Sequence, residues 1–114
     1  MQGHFRVEVR NNGRTSVITV SGELDLASSA ALEEELEHTV ASGTEGVVVD
    51  LRELEFMDST GLSSLVKAHQ RAEGLGKQFG VVRGPQQVQR LLSLTGVEDR
   101  LRFADTPEEL FEAD

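Results

Sequence analysis

Alternating hydrophobic and polar residues mark the start of the chain. Residues 5–10 have the period of two that is typical of a half-buried strand, and residues 16–21 are rich in the β-branched side chains that strands favour. Between these segments, Asn11, Asn12 and Gly13 tolerate the positive φ angles of a tight hairpin turn. The pattern predicts that the chain begins with an antiparallel β-hairpin.

Further along, uninterrupted apolar runs alternate with stretches of helical spacing. Residues 47–51 and 79–82 have the continuous apolar character of strands that are buried on both faces. The remaining predicted elements are helices over residues 28–41 and 62–75, a helix after Pro85, a short strand at residues 101–103 and a last helix after Pro107. This order predicts an α/β fold, with a mixed sheet of four to five strands and about four helices packed mainly on one face.

Composition argues against several classes of function. The 114-residue chain has a formal net charge of -9, so nucleic acid phosphates and anionic membrane surfaces repel it. Only 4% of the residues are aromatic, and none is Trp or Tyr, which leaves little to stack on nucleic acid bases. The absence of cysteine excludes a disulfide framework and a thiolate metal site. We predict a single domain over residues 1–114, a monomer that binds neither nucleic acid nor a membrane.

Signals for targeting and for bound cofactors are missing from the sequence as well. The first residues lack the apolar core of a signal peptide, and no apolar stretch is long enough to span a bilayer, which predicts a cytoplasmic protein. His4, His38 and His69 show no metal-ligand spacing. Because Walker and nucleophile-elbow motifs are also absent, we predict no cofactor, no metal and no catalytic residue.

A short polar segment, Asp58-Ser59-Thr60-Gly61, lies between a predicted strand and a predicted helix. In an open α/β sheet this is the usual place for a functional loop. Asp58, Ser59 and Thr60 each have a side chain suited to the N-cap of the helix. Three candidate caps in a row leave one hydroxyl free for another role, such as accepting a phosphoryl group. Ser59 is therefore either a cap or a phosphoacceptor.

Together with the next residue, the segment Asp58-Ser59-Thr60-Gly61-Leu62 resembles the phosphorylation loop of STAS-domain proteins, specifically the bacterial anti-sigma factor antagonists (anti-anti-sigma factors). Gly22-Glu23-Leu24-Asp25, which follows the second predicted strand, resembles a second motif of the same family. The resemblance covers about residues 5–111 and implies the STAS fold, with the sheet and helices described above.

The resemblance also implies a role for each residue of the two motifs. Ser59 matches the phosphorylated serine of the family, which directly follows the aspartate. The expected contacts to a partner protein are Asp25, Asp58, Thr60, Gly61 and Leu62. Two structural alternatives stay open, because Asp25 and Asp58 are suited to cap helices and Gly61 to let a neighbouring backbone approach closely.

By the same resemblance, the protein is a substrate and a switch, and not an enzyme. The unphosphorylated form is expected to bind a serine-kinase anti-sigma factor and so to release its sigma factor. Phosphorylation on Ser59 is expected to dissociate this complex, and a phosphoserine phosphatase to reset the system.

Two other interpretations compete with this one. A strand that ends at Asp50 resembles that of a two-component receiver domain, in which an aspartate accepts the phosphoryl group. A receiver also needs an acidic pair after its first strand and a lysine after its last, whereas this chain has Asn11-Asn12 and Ala104-Asp105 there. The second competitor is a non-catalytic STAS scaffold or regulatory domain.

Overall fold

A hairpin followed by alternating helices and strands forms the described part of the chain. The computed structural model describes residues 5–111, apart from the side chain of Phe111. Its strands are β1 (Arg6–Asn12), β2 (Thr15–Leu24), β3 (Gly46–Met57), β4 (Gln78–Val82) and β5 (Phe103–Ala104). Its helices are α1 (Leu26–Ala41), α2 (Ser59–Gly74), α3 (Gln86–Leu94) and α4 (Pro107–Phe111), with a 3-10 turn at Val97–Asp99.

The five strands form one mixed sheet in the order β1-β2-β3-β4-β5. β1 pairs antiparallel with β2, and every other neighbouring pair is parallel. The predicted α/β class, the mixed sheet and the initial hairpin are confirmed. In the parallel part of the sheet, the carboxyl ends of β2, β3 and β4 lie at the same edge, which we call the carboxyl edge.

Helices α1, α2 and α3 pack on one face of the sheet, as the sequence pattern predicts. The predicted apolar stripe of α1, Leu32, Leu36 and Val40, is buried in the large core that these helices share with the strands. The other face carries a smaller cluster, in which Leu110 of α4 packs against Val17, Val48, Val82 and Ala104. Three of the four helices therefore cover one face, and the short α4 covers part of the other.

Strand β3 is longer than its apolar run. The prediction that it ends at residue 51 is wrong, because pairing with β2 continues to Met57. The pairing of β3 with β2 has two irregularities. Residues 19–21 of β2 lie opposite residues 50–53 of β3, and residues 22–23 lie opposite residues 54–56. Each irregularity adds one residue to β3, and bulges of this kind bend and twist a strand and change where its side chains point.

No helix in the described residues is both long and apolar enough to cross a bilayer.

Candidate functional site: two helix caps at the carboxyl edge

The two motifs lie side by side at the carboxyl edge. Leu24, the last residue of β2, is paired with Met57, the last residue of β3. One residue further on, the Asp58 amide donates a hydrogen bond of 3.1 Å to the Leu24 carbonyl. Asp25 and Asp58, which directly follow these strand ends, therefore begin two neighbouring helices.

Asp25 is the N-cap of α1. Its Oδ1 accepts hydrogen bonds from the amides of Ala27 (3.0 Å) and Ser28 (3.2 Å). In return, the Asp25 amide donates to Ser28 Oγ (2.9 Å), which completes a capping box. Ser28 Oγ also donates to the Glu23 carbonyl at 2.8 Å, so the hydroxyl nearest this cap is fully engaged.

Asp58 is the N-cap of α2, which decides among the three candidate caps. Its Oδ1 accepts hydrogen bonds from the amides of Thr60 (3.0 Å) and Gly61 (3.2 Å) and from the Thr60 hydroxyl (2.5 Å). The Thr60 hydroxyl lowers the pKa of Asp58 most, and the amides of Gly61, Thr60 and Leu26 lower it further against an opposing effect of burial. The three hydrogen bonds to this carboxylate all come from the first turn of α2.

Ser59 is the first residue of α2, and its side chain is exposed. Within the described residues its hydroxyl has no hydrogen bond, in contrast to the hydroxyls of Thr60 and Ser28. Ser59 is thus not the cap, and its hydroxyl is exposed next to the cap.

Gly61 and Leu62 face the interior and not the surface. A Cβ atom at Gly61 would lie 2.6 Å from Leu24 Cγ and 3.0 Å from Met57 Cγ, so the close neighbours of this glycine are side chains and not another backbone. Leu62 is only 8% exposed and belongs to the main core. The expectation that these two residues contact a partner does not fit their burial, because both hold α2 against the sheet.

Comparison with known proteins identifies the family of this chain. The family model described as "Mlab, STAS domain" matches residues 7–103. The chain belongs to the STAS family. The anti-sigma-F factor antagonist RsfB of Mycobacterium tuberculosis is 33% identical over 100 residues, which cover 88% of this chain and 81% of that protein. The anti-sigma-B factor antagonist of Staphylococcus aureus is 27% identical over 105 residues, covering 92% of this chain and 97% of the relative.

Among solved structures, the crystal structure of an anti-sigma factor antagonist from Mycobacterium paratuberculosis is similar to this STAS domain. It superposes with a TM-score of 0.89 at 30% identity, over 96% of this chain and 93% of that one. The order of strands and helices described above is therefore that of a STAS domain.

The competing interpretation as a receiver domain is wrong. Asp50 does not end its strand but lies inside β3, where it is 4% exposed. Its carboxylate accepts hydrogen bonds from Arg52 through the amide (3.0 Å), Nε (3.0 Å) and Nη2 (2.8 Å). This pairing raises the pKa of Arg52. Asp50 therefore accepts hydrogen bonds from the backbone and side chain of Arg52, which lies within the first irregularity of β3.

Two exposed apolar residues of this STAS domain lie outside the two motifs. Leu26, the first residue of α1, is 75% exposed, and Phe56, near the end of β3, is 47% exposed. Leu26 could have been found from the sequence, since it is out of phase with the stripe of Leu32 and Leu36. Phe56 could not, because the irregular pairing of β3 breaks the alternation on which such an inference depends.

The three histidines are the remaining candidate metal ligands of the sequence. His4 lies outside the described residues, and His38 and His69 join no group of three or more metal-binding side chains within residues 5–111.

Proposed function

We propose that this STAS domain is an anti-sigma factor antagonist, and that Ser59 accepts a phosphoryl group from a serine-kinase anti-sigma factor. The observation that carries the proposal is the contrast at the start of α2. The Ser59 hydroxyl is exposed and unbonded among the described residues, whereas that of Thr60 is bonded to the cap. The names of the relatives support the general role.

In this proposal the protein is a regulated binding partner, and the kinase performs the chemistry. The unphosphorylated form binds the anti-sigma factor, which then releases its sigma factor. Phosphorylation of Ser59 dissociates the complex, and a phosphoserine phosphatase restores the binding form.

The partner surface consists of the exposed residues around the two caps. It includes Ser59 and the exposed apolar side chains of Leu26, which follows Asp25, and Phe56, which lies two residues before Asp58. Asp25 and Asp58 contribute negative charge from their capping positions, in a chain whose formal net charge is -9. The surface therefore fits a partner with an apolar contact patch and basic residues around it.

The switch follows from the charge already present at the start of α2. A phosphoryl group brings about -1.5 to -2 charges at pH 7. Helix N-termini usually stabilise such an anion, but the amides of Thr60 and Gly61 already donate to Asp58. The phosphate on Ser59 then stands next to an ionised carboxylate, and a partner would have to desolvate both charges. Repulsion and added bulk at the contact surface dissociate the complex without any need for unfolding.

A single experiment tests the proposal. The protein is incubated with each serine-kinase anti-sigma factor encoded in its own genome, with and without ATP. Complex formation is followed by calorimetry, and phosphate is located by mass spectrometry. We expect a complex without ATP, and phosphate on Ser59 with loss of the complex in its presence. Binding without any phosphorylation would favour the STAS scaffold instead, and phosphate at another residue would contradict the assignment of Ser59.

A further inference from the structure

Two hydroxyls stand next to each other at the start of α2, but they differ in what they can offer a kinase. The Ser59 side chain is exposed and unbonded within the described residues. The Thr60 side chain is half-buried, and its hydroxyl proton is donated to Asp58 Oδ1. Because serine and threonine hydroxyls have the same chemistry, their type alone does not determine which of them is phosphorylated.

We infer that Asp58 selects the phosphoacceptor, because it holds the Thr60 hydroxyl within the helix cap and leaves the neighbouring Ser59 hydroxyl free. Asp58 is in this sense a positioning residue. The inference rests on the proposed function, and it adds to that function the reason why the phosphate goes to residue 59 and not to residue 60.

The Thr60 hydroxyl is bonded to a carboxylate that has little freedom to move. The same Oδ1 atom accepts the amides of Thr60 and Gly61, so the carboxylate cannot turn away without losing the cap of α2. All three donors to this oxygen come from the first turn of α2. The position of Asp58 is therefore tied to the start of that helix.

A carboxylate that accepts a hydroxyl proton can also activate that hydroxyl as a nucleophile. Asp58 is poorly suited to this role, because its donors lower its pKa and so make it a weak base. Asp58 accepts the hydrogen bond of the Thr60 hydroxyl but does not remove its proton. Because the proton is engaged in this bond, a base of the kinase cannot reach it. The bonded hydroxyl is thus protected and not activated.

In the transfer step, the oxygen of Ser59 forms a bond to the γ-phosphorus of ATP. The bond between that phosphorus and the oxygen bridging to the β-phosphate breaks, and ADP leaves. The hydroxyl proton of Ser59 passes to a base of the kinase. Asp58 takes no part in the exchange of bonds or protons.

The test measures, by tandem mass spectrometry, the ratio of phosphate on residue 60 to phosphate on residue 59 after incubation with the kinase anti-sigma factor and ATP. Because the ratio is internal to each sample, it does not depend on how tightly a variant binds the kinase. In the Asp58→Ala protein we expect the ratio to rise about ten- to a hundredfold, the factor that a hydrogen bond to a charged group is worth. The matched control, Asp58→Asn, keeps an oxygen that caps the helix and accepts the Thr60 hydroxyl, so phosphate should stay on Ser59.

A second variant, Thr60→Ser, removes any preference of the kinase for serine over threonine. The hydroxyl of the new serine can still donate to Asp58, so phosphate should remain on residue 59. Exclusive labelling of Ser59 in Asp58→Ala would overturn the inference, and so would phosphate on residue 60 in Thr60→Ser. If Asp58→Ala accepts no phosphate at all, Thr60→Ser decides alone. Failure of the wild-type protein to take phosphate on Ser59 would instead refute the proposed function.

Discussion

The first turns of α1 and α2 have the same kind of cap, but their hydroxyl groups differ in whether they are hydrogen-bonded. Each helix follows a parallel strand and is capped by an aspartate whose Oδ1 accepts two backbone amides. The three positions after the cap hold Leu26, Ala27 and Ser28 in α1, and Ser59, Thr60 and Gly61 in α2. In α1 the hydroxyl at the third position completes a capping box, whereas in α2 the hydroxyl at the second position bonds the cap and that at the first is free.

The difference shows that the position of a hydroxyl in the first turn, and not its type, determines whether it is bonded to the cap or left exposed. A side chain at the third position points back to the cap and bonds its amide, as Ser28 does. A side chain at the first position of the helix has no such partner, and Ser59 is left exposed. Ser28 therefore stabilises the fold, and Ser59 is available to a partner.

The largest expected effect distinguishes these two serines directly. Ser59→Ala should abolish phosphate incorporation by the kinase and preserve binding, because only a free hydroxyl is lost. Ser28→Ala should leave phosphorylation intact but lower the free energy of unfolding by about 0.5–2 kcal/mol, the usual cost of a lost cap interaction. Mass spectrometry and urea unfolding measure the two effects. Phosphate on Thr60, or on Ser63, another exposed serine of α2, in the Ser59→Ala protein would contradict the assignment of Ser59 as the single acceptor.

The third position of each helix gives the next prediction. Gly61→Ala should lower the free energy of unfolding by about 1–3 kcal/mol, because the added Cβ would overlap Leu24 Cγ, 2.6 Å away. Gly74→Ala, near the other end of the same helix, is the control, since its Cβ meets no atom within 4 Å. Because Gly74 is the last residue of α2, that change should alter the free energy of unfolding by less than about 0.5 kcal/mol. Equal unfolding midpoints for the two variants in urea would show that Gly61 is not a packing requirement.

The exposed apolar residues beside the two caps test the proposed partner surface. Leu26→Ser and Phe56→Ser should each weaken binding of the unphosphorylated protein to the kinase by about 1 kcal/mol or more, roughly fivefold or more, as central apolar contacts do. Leu94→Ser is the matched control, because Leu94 is 79% exposed and lies at the far end of α3. Calorimetry should show no change for it. If all three variants bind equally well, the partner contacts another surface.

The smallest effect is a dependence of stability on pH through Asp58. Its pKa in the folded protein is lowered from the ordinary value of 3.8, so the folded state binds the proton less readily than the unfolded state. The stability that follows is fully present above the unfolded pKa and is lost as the pH falls through the folded pKa. Asp58→Asn keeps a cap but has no such titration. The stability advantage of wild type over this variant, measured in urea from neutral to acid pH, should therefore shrink below pH 3.8. A constant difference would show that the Asp58 charge does not support the cap.

Much of the fold could be predicted from the amino-acid sequence. The apolar stripe of α1, the uninterrupted run of β3 and the hairpin residues predict the order of the elements, because local periodicity reports which side of an element is buried. Periodicity did not predict the second half of β3, because buried and exposed residues do not alternate there. Arg52, Glu53, Glu55 and Phe56 are exposed although they belong to β3, since irregular pairing with β2 supports this part of the strand.

The candidate site divides in the same way. The sequence alone determined that a polar segment with two neighbouring hydroxyls lies between a strand and a helix, and the resemblance pointed to Ser59. Only the tertiary structure decided that Asp58 is the cap, that Thr60 is bonded and that Gly61 and Leu62 are buried. The reason is physical. Three neighbouring polar residues have nearly equal capping propensity, and the choice among them depends on where β2 and β3 end and how Leu24 packs under Gly61.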